Sequence, residues 1–404
     1  MTALFFNPLQ DGFAEDPWVH LAEMREAEPV HAMVLGGYAL FRYDDIFTVL
    51  RDPSLSVDDA NADFGEMSRR DLFEGNLAGV EFEEFESILG LDPPDHTRLR
   101  RLVSKAFTPR TIEALRPRIE AMVDEVLEGM AQRGSGDVVG ELAFPLPFDV
   151  ISEMLGMPET DKNQIRDWSG LIVKTLDPIL DDADILAAYD ANAALNEHLE
   201  SVIEWKRANP SDDLLTALIE AEEDGDRMTA KQLRDQVSLL FVAGHETTVN
   251  LIGTGIWEML RHPEQAADLR ADPSLDAGAV EELLRYISPV QISRRIAVQD
   301  LDVRGVTIPA RSFVSTWLAA ANRDPAKFGE TAEELDIRRE DAGQHVSFGS
   351  GIHYCLGASL AKLEAQVAIG RFLRRFPDAR IAGEPKWNGR MNLRGLEELL
   401  VDVG

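Results

Sequence analysis

Cys355 is the only cysteine in this 404-residue chain, and its surroundings are suited to chemistry. It lies in Phe348-Gly-Ser-Gly-Ile-His-Tyr-Cys-Leu-Gly-Ala, just ahead of an amphipathic helical pattern from Ala358 to Phe376. The glycines around the sulfur let backbone approach a flat ligand where a side chain would clash. At or just before a helix start, free amides and the helix dipole favour thiolate over thiol. His353, two residues upstream, can reach a negative group on the edge of such a ligand. A lone thiol excludes an intramolecular disulfide and any multi-cysteine zinc site. Three roles stay open for it: inert core residue, nucleophile, or single axial ligand to a metal.

A second reactive set, Gly244, His245, Glu246, Thr247, Thr248 and Asn250, sits inside an apolar run from Val237 to Ile252. Thr229 and Gln232 form a capping-box pattern, and His262-Pro263 marks the stop, so one helix should run from Thr229 to Arg261. At 1.5 Å per residue that is roughly 50 Å, enough to cross a whole domain. Being apolar nearly all round, its middle should be buried. A carboxylate and two hydroxyls there are costly unless paired or used.

Elsewhere amphipathic patterns predict helices over Trp18–Glu26, Thr97–Phe107, Ile112–Arg133, Phe148–Leu155, Asp184–Ala208, Leu214–Glu223 and Ala277–Tyr286. Gly36-Gly37 divides a hairpin at Val30–Tyr43, and strand-rich stretches run from Leu301 to Trp317 and after Lys386. Fold class is therefore mainly α with a small β-rich region. No repeat or linker marks a division, so residues 1–404 read as one domain. Glu282 and Arg285 share a helix face, as do His96 and Arg100; by themselves such pairs are ordinary surface chemistry.

The formal charge of −32 argues against nucleic acid or an anionic membrane as a general partner. No window approaches the roughly 18–20 apolar residues of a spanning helix, and the start lacks a signal-peptide pattern, so the chain reads as cytoplasmic. Against that acidic background, Arg98, Arg100, Arg101, Lys105, Arg110, Arg116 and Arg118 face one acid, Glu113, in a single basic segment.

The cysteine run resembles the haem loop of the cytochrome P450 family, Phe-x-x-Gly-x-His/Arg-x-Cys-x-Gly, at Phe348, Gly351, His353, Cys355 and Gly357. Asp92-Pro-Pro-Asp-His-Thr-Arg-Leu-Arg-Arg, Ala243-Gly-His-Glu-Thr-Thr, Glu282-x-x-Arg285, Asn322-Arg-Asp-Pro and Arg339 match further family segments in the expected order. The resemblance implies the triangular-prism fold and haem b (iron protoporphyrin IX) as cofactor, with Cys355 as the axial metal ligand. It implies haem contacts from His96, Arg100, Arg295 (or its neighbour Arg294), Phe348, Gly349, His353 and Gly357. Glu282, Arg285 and Arg339 become a buried ionic brace. Glu246 and Thr247 become an acid–alcohol pair that delivers protons to dioxygen, with Gly244 letting the helix open locally.

The implied activity is a monooxygenase inserting one atom of O2 into a C–H bond or a double bond, with electrons from NAD(P)H. A ferredoxin or flavodoxin-type donor would dock near Arg98–Arg118 on a monomeric enzyme. A peroxide-driven peroxygenase and a non-catalytic haem sensor are the alternatives. Substrate contacts are expected from Val242, Ala243, Thr248, Val290 and Ile292, within walls at Phe64–Leu91, Trp168–Leu186, Val242–Thr248 and Val290–Ser293. Phe64, Leu72, Phe73, Phe82 and Ile88 favour an apolar ligand. The acidic cluster Glu81, Glu83, Glu84 and Glu86 reads as solvated surface, with a cationic ligand as its other reading.

Overall fold

A computed structural model describes residues 6–34, 36–63, 85–104, 107–158, 162–177, 182–223 and 226–404. Its helices are α1 (Trp18–Ala27), α2 (Tyr43–Arg51), α3 (Asp95–Ser104), α4 (Pro109–Glu113), α5 (Arg116–Arg133), α6 (Pro145–Met154), α7 (Lys162–Lys174) and α8 (Asp182–Ala208). They continue with α9 (Leu214–Glu220), α10 (Ala230–Arg261), α11 (Pro263–Ala271), α12 (Asp276–Ile287), α13 (Leu318–Asn322), α14 (Pro325–Phe328) and α15 (Ala358–Arg375). The chain is thus mainly helical with small sheets, as its patterning predicts.

Helix α10 is the axis of the molecule. The Thr229 hydroxyl accepts from the Gln232 amide at 3.0 Å, and the Gln232 side chain accepts from the Thr229 amide at 3.2 Å. The predicted capping box is therefore formed. Val237, Phe241, Leu251, Ile252 and Ile256 are all buried and share a core with Ile119 and Val123 of α5, Phe148 of α6, and Ile369 and Phe372 of α15. Gly255 sets how closely α10 and α15 approach. A Cβ there would stand 2.9 Å from Ile369 Cδ1, which would have to shift.

The β-rich part packs beside this bundle. A five-stranded sheet has the order Val30–Ala32, Tyr38–Leu40, Phe313–Trp317, Ile292–Ala297, Leu55–Ser56. Only the pairing of Tyr38–Leu40 with Phe313–Trp317 is parallel. Its alternate residues bury Leu40, Val314 and Ile296. At the C-terminal end Lys386–Trp387 pairs with Leu396–Glu398, and Leu400–Asp402 lies between Arg380–Ile381 and Ser135–Asp137.

Several expectations need correction. The helix expected over Ile112–Arg133 is two, because the chain turns at Ala114-Leu115 and Pro117 starts a new helix where its missing N–H costs nothing. Tyr43 begins α2 instead of ending a strand; its amide donates to the Asp324 carboxylate at 2.9 Å. Helix α9 stops at Glu220, and Glu222–Glu223 is extended. Helix α10 stays regular through Gly244, so the local opening expected there is not present. The Thr247 and Thr248 hydroxyls donate to the carbonyls of Ala243 and Gly244 at 3.0 and 3.2 Å, adding to the ladder where it would have opened.

Candidate active site

The loop before α15 is built by two glycines with left-handed φ, Gly349 at 69° and Gly351 at 73°. A Cβ on Gly351 would lie 2.8 Å from the Leu50 carbonyl oxygen, so only glycine lets the loop lie against the end of α2. The Cys355 amide donates to the Phe348 carbonyl at 3.0 Å, closing the loop on itself. The Cys355 sulfur lies deep in the protein yet is open to a water-sized probe. Burial pushes its thiol pKa up, while the amides of Gly357 and Ala358 and the charge of Arg100 work in the opposite direction. The helix-start amides thus act as the sequence predicts, but burial outweighs them and the thiol pKa lies above its ordinary value.

Behind the loop lies a network without loose ends. Glu282 and Arg285 are fully buried and meet in a two-point pair at 2.7 and 2.8 Å. Arg285 spends its other donors on the carbonyls of Asn322, Ala332 and Glu334, and Arg339 joins Glu282 at 3.2 Å. Asn322, from the matched Asn-Arg-Asp-Pro run, accepts from the Val346 amide and donates to the Ser347 hydroxyl, which donates to the Leu284 carbonyl. The three brace residues are thus brought together and wired to the base of the cysteine loop.

His96, His353 and Arg295 also converge. The two imidazole rings stand 4.2 Å apart. Burial, then His96 and Arg295, pulls the His353 pKa down to about 4. Burial likewise lowers Arg295 to about 10, and Arg295 has no carboxylate in ion-pair range among the described residues. Both ring nitrogens of His96 are buried with no hydrogen-bond partner. Buried nitrogens gathered at one place, those of His96 without partners and those of Arg295 meeting only neutral oxygens, fit the anionic edge of a bound group. Arg100 does not join them; it donates to the Tyr354 carbonyl at 2.6 Å, on the cysteine side. Arg294 pairs with Asp59 instead, which separates it from its neighbour.

The middle of α10 supplies the other wall. Along a helix otherwise buried, Ala243 is exposed and Gly244 and Thr247 are partly so. Helix α10 packs against α15, whose first turn follows Cys355. An accessible sulfur, a face of small residues, and the buried Arg295 guanidinium beside two imidazoles together fit a flat, dianionic cofactor such as haem.

Val242 and Thr248 are buried in the protein, because they lie about 100° and 140° around the helix from Ala243. Val290 and Ile292 keep partial exposure. Phe64, Leu72, Phe73, Phe82, Glu81, Glu83, Glu84 and Lys105 lie outside the described residues, as do parts of the Phe64–Leu91 and Trp168–Leu186 walls.

Glu246 has partners that its sequence motif does not announce. Burial pushes its pKa up, but His245 at 3.5 Å and Arg390 at 2.8 Å outweigh this and hold it at about 2. His245 is itself fixed, its Nδ1 2.9 Å from the Phe241 carbonyl. The basic segment is less free than its sequence suggests. Arg116 pairs with Glu113, Arg118 with Glu153, and Arg98 turns toward Gln232 and Asp95. Separately, a groove of about 800 Å³ runs along the outer side of the cysteine loop, lined in part by Phe47, Arg51, Lys327, His345 and Tyr354.

Comparison with known proteins gives a consistent set of findings. The profile of the family described as Cytochrome P450 matches residues 48–379. The chain is 45% identical over 408 residues to "Cytochrome P450 107B1" of Saccharopolyspora erythraea, covering 98% of this chain and 96% of that one. It is 41% identical to "Cytochrome P450 monooxygenase PikC" of Streptomyces venezuelae, over 98% of this chain and 93% of that protein. Among solved structures, the Bacillus subtilis bacillaene polyketide synthase cytochrome P450 PksS superposes with a TM-score of 0.88 at 37% identity, covering 99% of this chain and all of that one.

Proposed function

The chain belongs to the cytochrome P450 family and is a haem monooxygenase of small organic molecules; from that premise we propose how its own residues divide the work. When bound, haem supplies the reductive activation of dioxygen and the insertion of one oxygen atom into the substrate, the other leaving as water. Cys355 is the residue that would hold the iron, its anion favoured by the amides of Gly357 and Ala358. His96, His353 and Arg295 would hold the two carboxylates of the haem edge, while Phe348 and Gly349 shape the loop beneath. The observation that carries this reading is an accessible sulfur at the start of α15 and the accessible Ala243, Gly244 and Thr247 of α10, two helices that pack together.

Dioxygen cleavage consumes two protons, and stray water at the site would divert reducing equivalents to hydrogen peroxide. Glu246 takes a proton from water connected to solvent and passes it toward the Thr247 hydroxyl, returning to carboxylate. Thr247 can rotate its hydroxyl from the Ala243 carbonyl toward the exposed face. Thr247→Ala should therefore keep haem and substrate binding but lower product formed per NAD(P)H severalfold, with peroxide rising to match. An unchanged ratio of product to NAD(P)H would remove Thr247 from the mechanism.

Ala243, Val290 and Ile292 give the accessible walls an apolar character, which supports an apolar substrate. Screening fatty acids, terpenoids, steroids and polyketides for the haem spin-state shift would identify the class.

For electron supply, a ferredoxin-type donor fits the cysteine side. Arg51 and Lys327 line the outer groove, Arg100 stands beside Tyr354, and Tyr354 is partly exposed one residue from the sulfur. An acidic donor steered there should reduce the enzyme more slowly as salt rises, by about an order of magnitude between low and high ionic strength. A flat response in stopped-flow reduction would rule out steering. Monomeric action in the cytoplasm belongs to the same proposal.

A further inference from the structure

The loop 388–393 lies between α10 and α7 and holds them unequally. On the α10 side, Arg390 Nη1 donates to Glu246 at 2.8 Å, and Asn250 Nδ2 donates to the Leu393 carbonyl at 3.2 Å. Gly395 leaves no room there: a Cβ would overlap Asn250. Toward α7, Arg390 Nη2 donates to the Gly170 carbonyl at 3.3 Å, and Asn392 Nδ2 reaches the Leu176 carbonyl at 3.4 Å. Asp177 accepts from the amides of Met391 and Asn392 at 3.4 and 2.8 Å. Most contacts on the α7 side are long, hence weak, so this is the side that yields first. Gly389, with φ 66°, makes the turn that aims Arg390 between the two helices.

This pair is built unlike the brace. Arg285 is fully buried and spends every donor, whereas Arg390 stays partly accessible with one arm on each helix. A carboxylate locked to a guanidinium holds no proton and cannot hand one on. We propose that Arg390 is a positioning residue: it restrains the Glu246 carboxylate and ties the acid's availability for proton transfer to the docking of α7 at Gly170. The inference rests on the relay role assigned to Glu246 above.

Charge accounting gives the sign. Glu246 faces His245 on its own helix and Arg390 on the loop. Beyond these, Asp177 faces Arg390 from the α7 side, and Arg166 stacks on Phe144, whose ring meets His245. Without Arg390, burial acts on the carboxyl against His245 alone, so its protonation moves to higher pH than in wild type.

The test uses purified holoenzyme without substrate and two readouts. Infrared difference spectroscopy follows the protonated carboxyl band of Glu246, assigned by its loss in Glu246→Gln. Hydrogen exchange follows the backbone amides of residues 162–177. In wild type the band should stay absent down to about pH 5. Arg390→Ala should bring it in at a pH at which wild type shows none, and raise exchange in 162–177 roughly three- to tenfold, as for loss of one ordinary hydrogen bond. Arg390→Lys should keep the band absent, because the cation remains, yet still raise exchange, because one ammonium cannot span both helices. Arg390→Ala without the band, or unchanged exchange in both variants, overturns the proposal. If both readouts behave and Glu246→Gln still forms product as wild type does, the relay reading is what has failed.

Discussion

Arg285→Ala should cost about 3–5 kcal/mol of folding stability, the range for breaking a buried ion pair from one side. The reason is the company Arg285 keeps. Its removal leaves the Glu282 carboxylate buried with only Arg339, at 3.2 Å, and the Asp336 amide, at 2.9 Å. It also strands the carbonyls of Asn322, Ala332 and Glu334. Arg285→Lys keeps the charge but not the fork, and should recover only part of the loss. Denaturant unfolding followed by tryptophan fluorescence measures both. A midpoint within error of wild type for Arg285→Ala would show that the network is ornamental.

Cys355→Ser should abolish NAD(P)H-dependent turnover while leaving the helical content intact. A serine hydroxyl fits the same space, and the amides of Gly357 and Ala358 remain. They cannot make an alkoxide near neutral pH from a group whose proton is held far more tightly than a thiol's. The ferrous–carbonyl absorption spectrum reads the axial ligand directly, and circular dichroism controls for folding. A variant with the wild-type carbonyl spectrum would mean that the sulfur is not the ligand. The expected loss is orders of magnitude, larger than that for Thr247→Ala, where binding survives and only proton management suffers.

Much of this was legible because closely spaced motifs report local geometry. The capping box at Thr229 and Gln232 needs nothing beyond its own four residues, and it formed as read. The Cys355 loop and the Glu282–Arg285 pair are likewise short-range features, and Arg339 was placed by resemblance. Long-range partners were not legible. Arg390 lies in a turn with no periodicity and meets Glu246 across 144 residues of chain. His245 was read as part of a motif, but its closeness to Glu246 follows from rotamers that spacing does not report. The rotation that buries Val242 and Thr248 was not legible, because a helix buried nearly all round has no polar face to fix it. The surface charge of Arg118 was overread, since its partner Glu153 belongs to a different helix.

The brace also bears on portability. Residue Ser347, at the foot of the sulfur-bearing turn, is pinned to Leu284, 63 positions earlier, and Asn322 grips the same turn from a third place. The turn is therefore no cassette. Transplanted into another scaffold with its glycines and cysteine alone, it would arrive without the struts that aim it. A designer borrowing this thiolate must bring three separated pieces of chain, or build their equivalents.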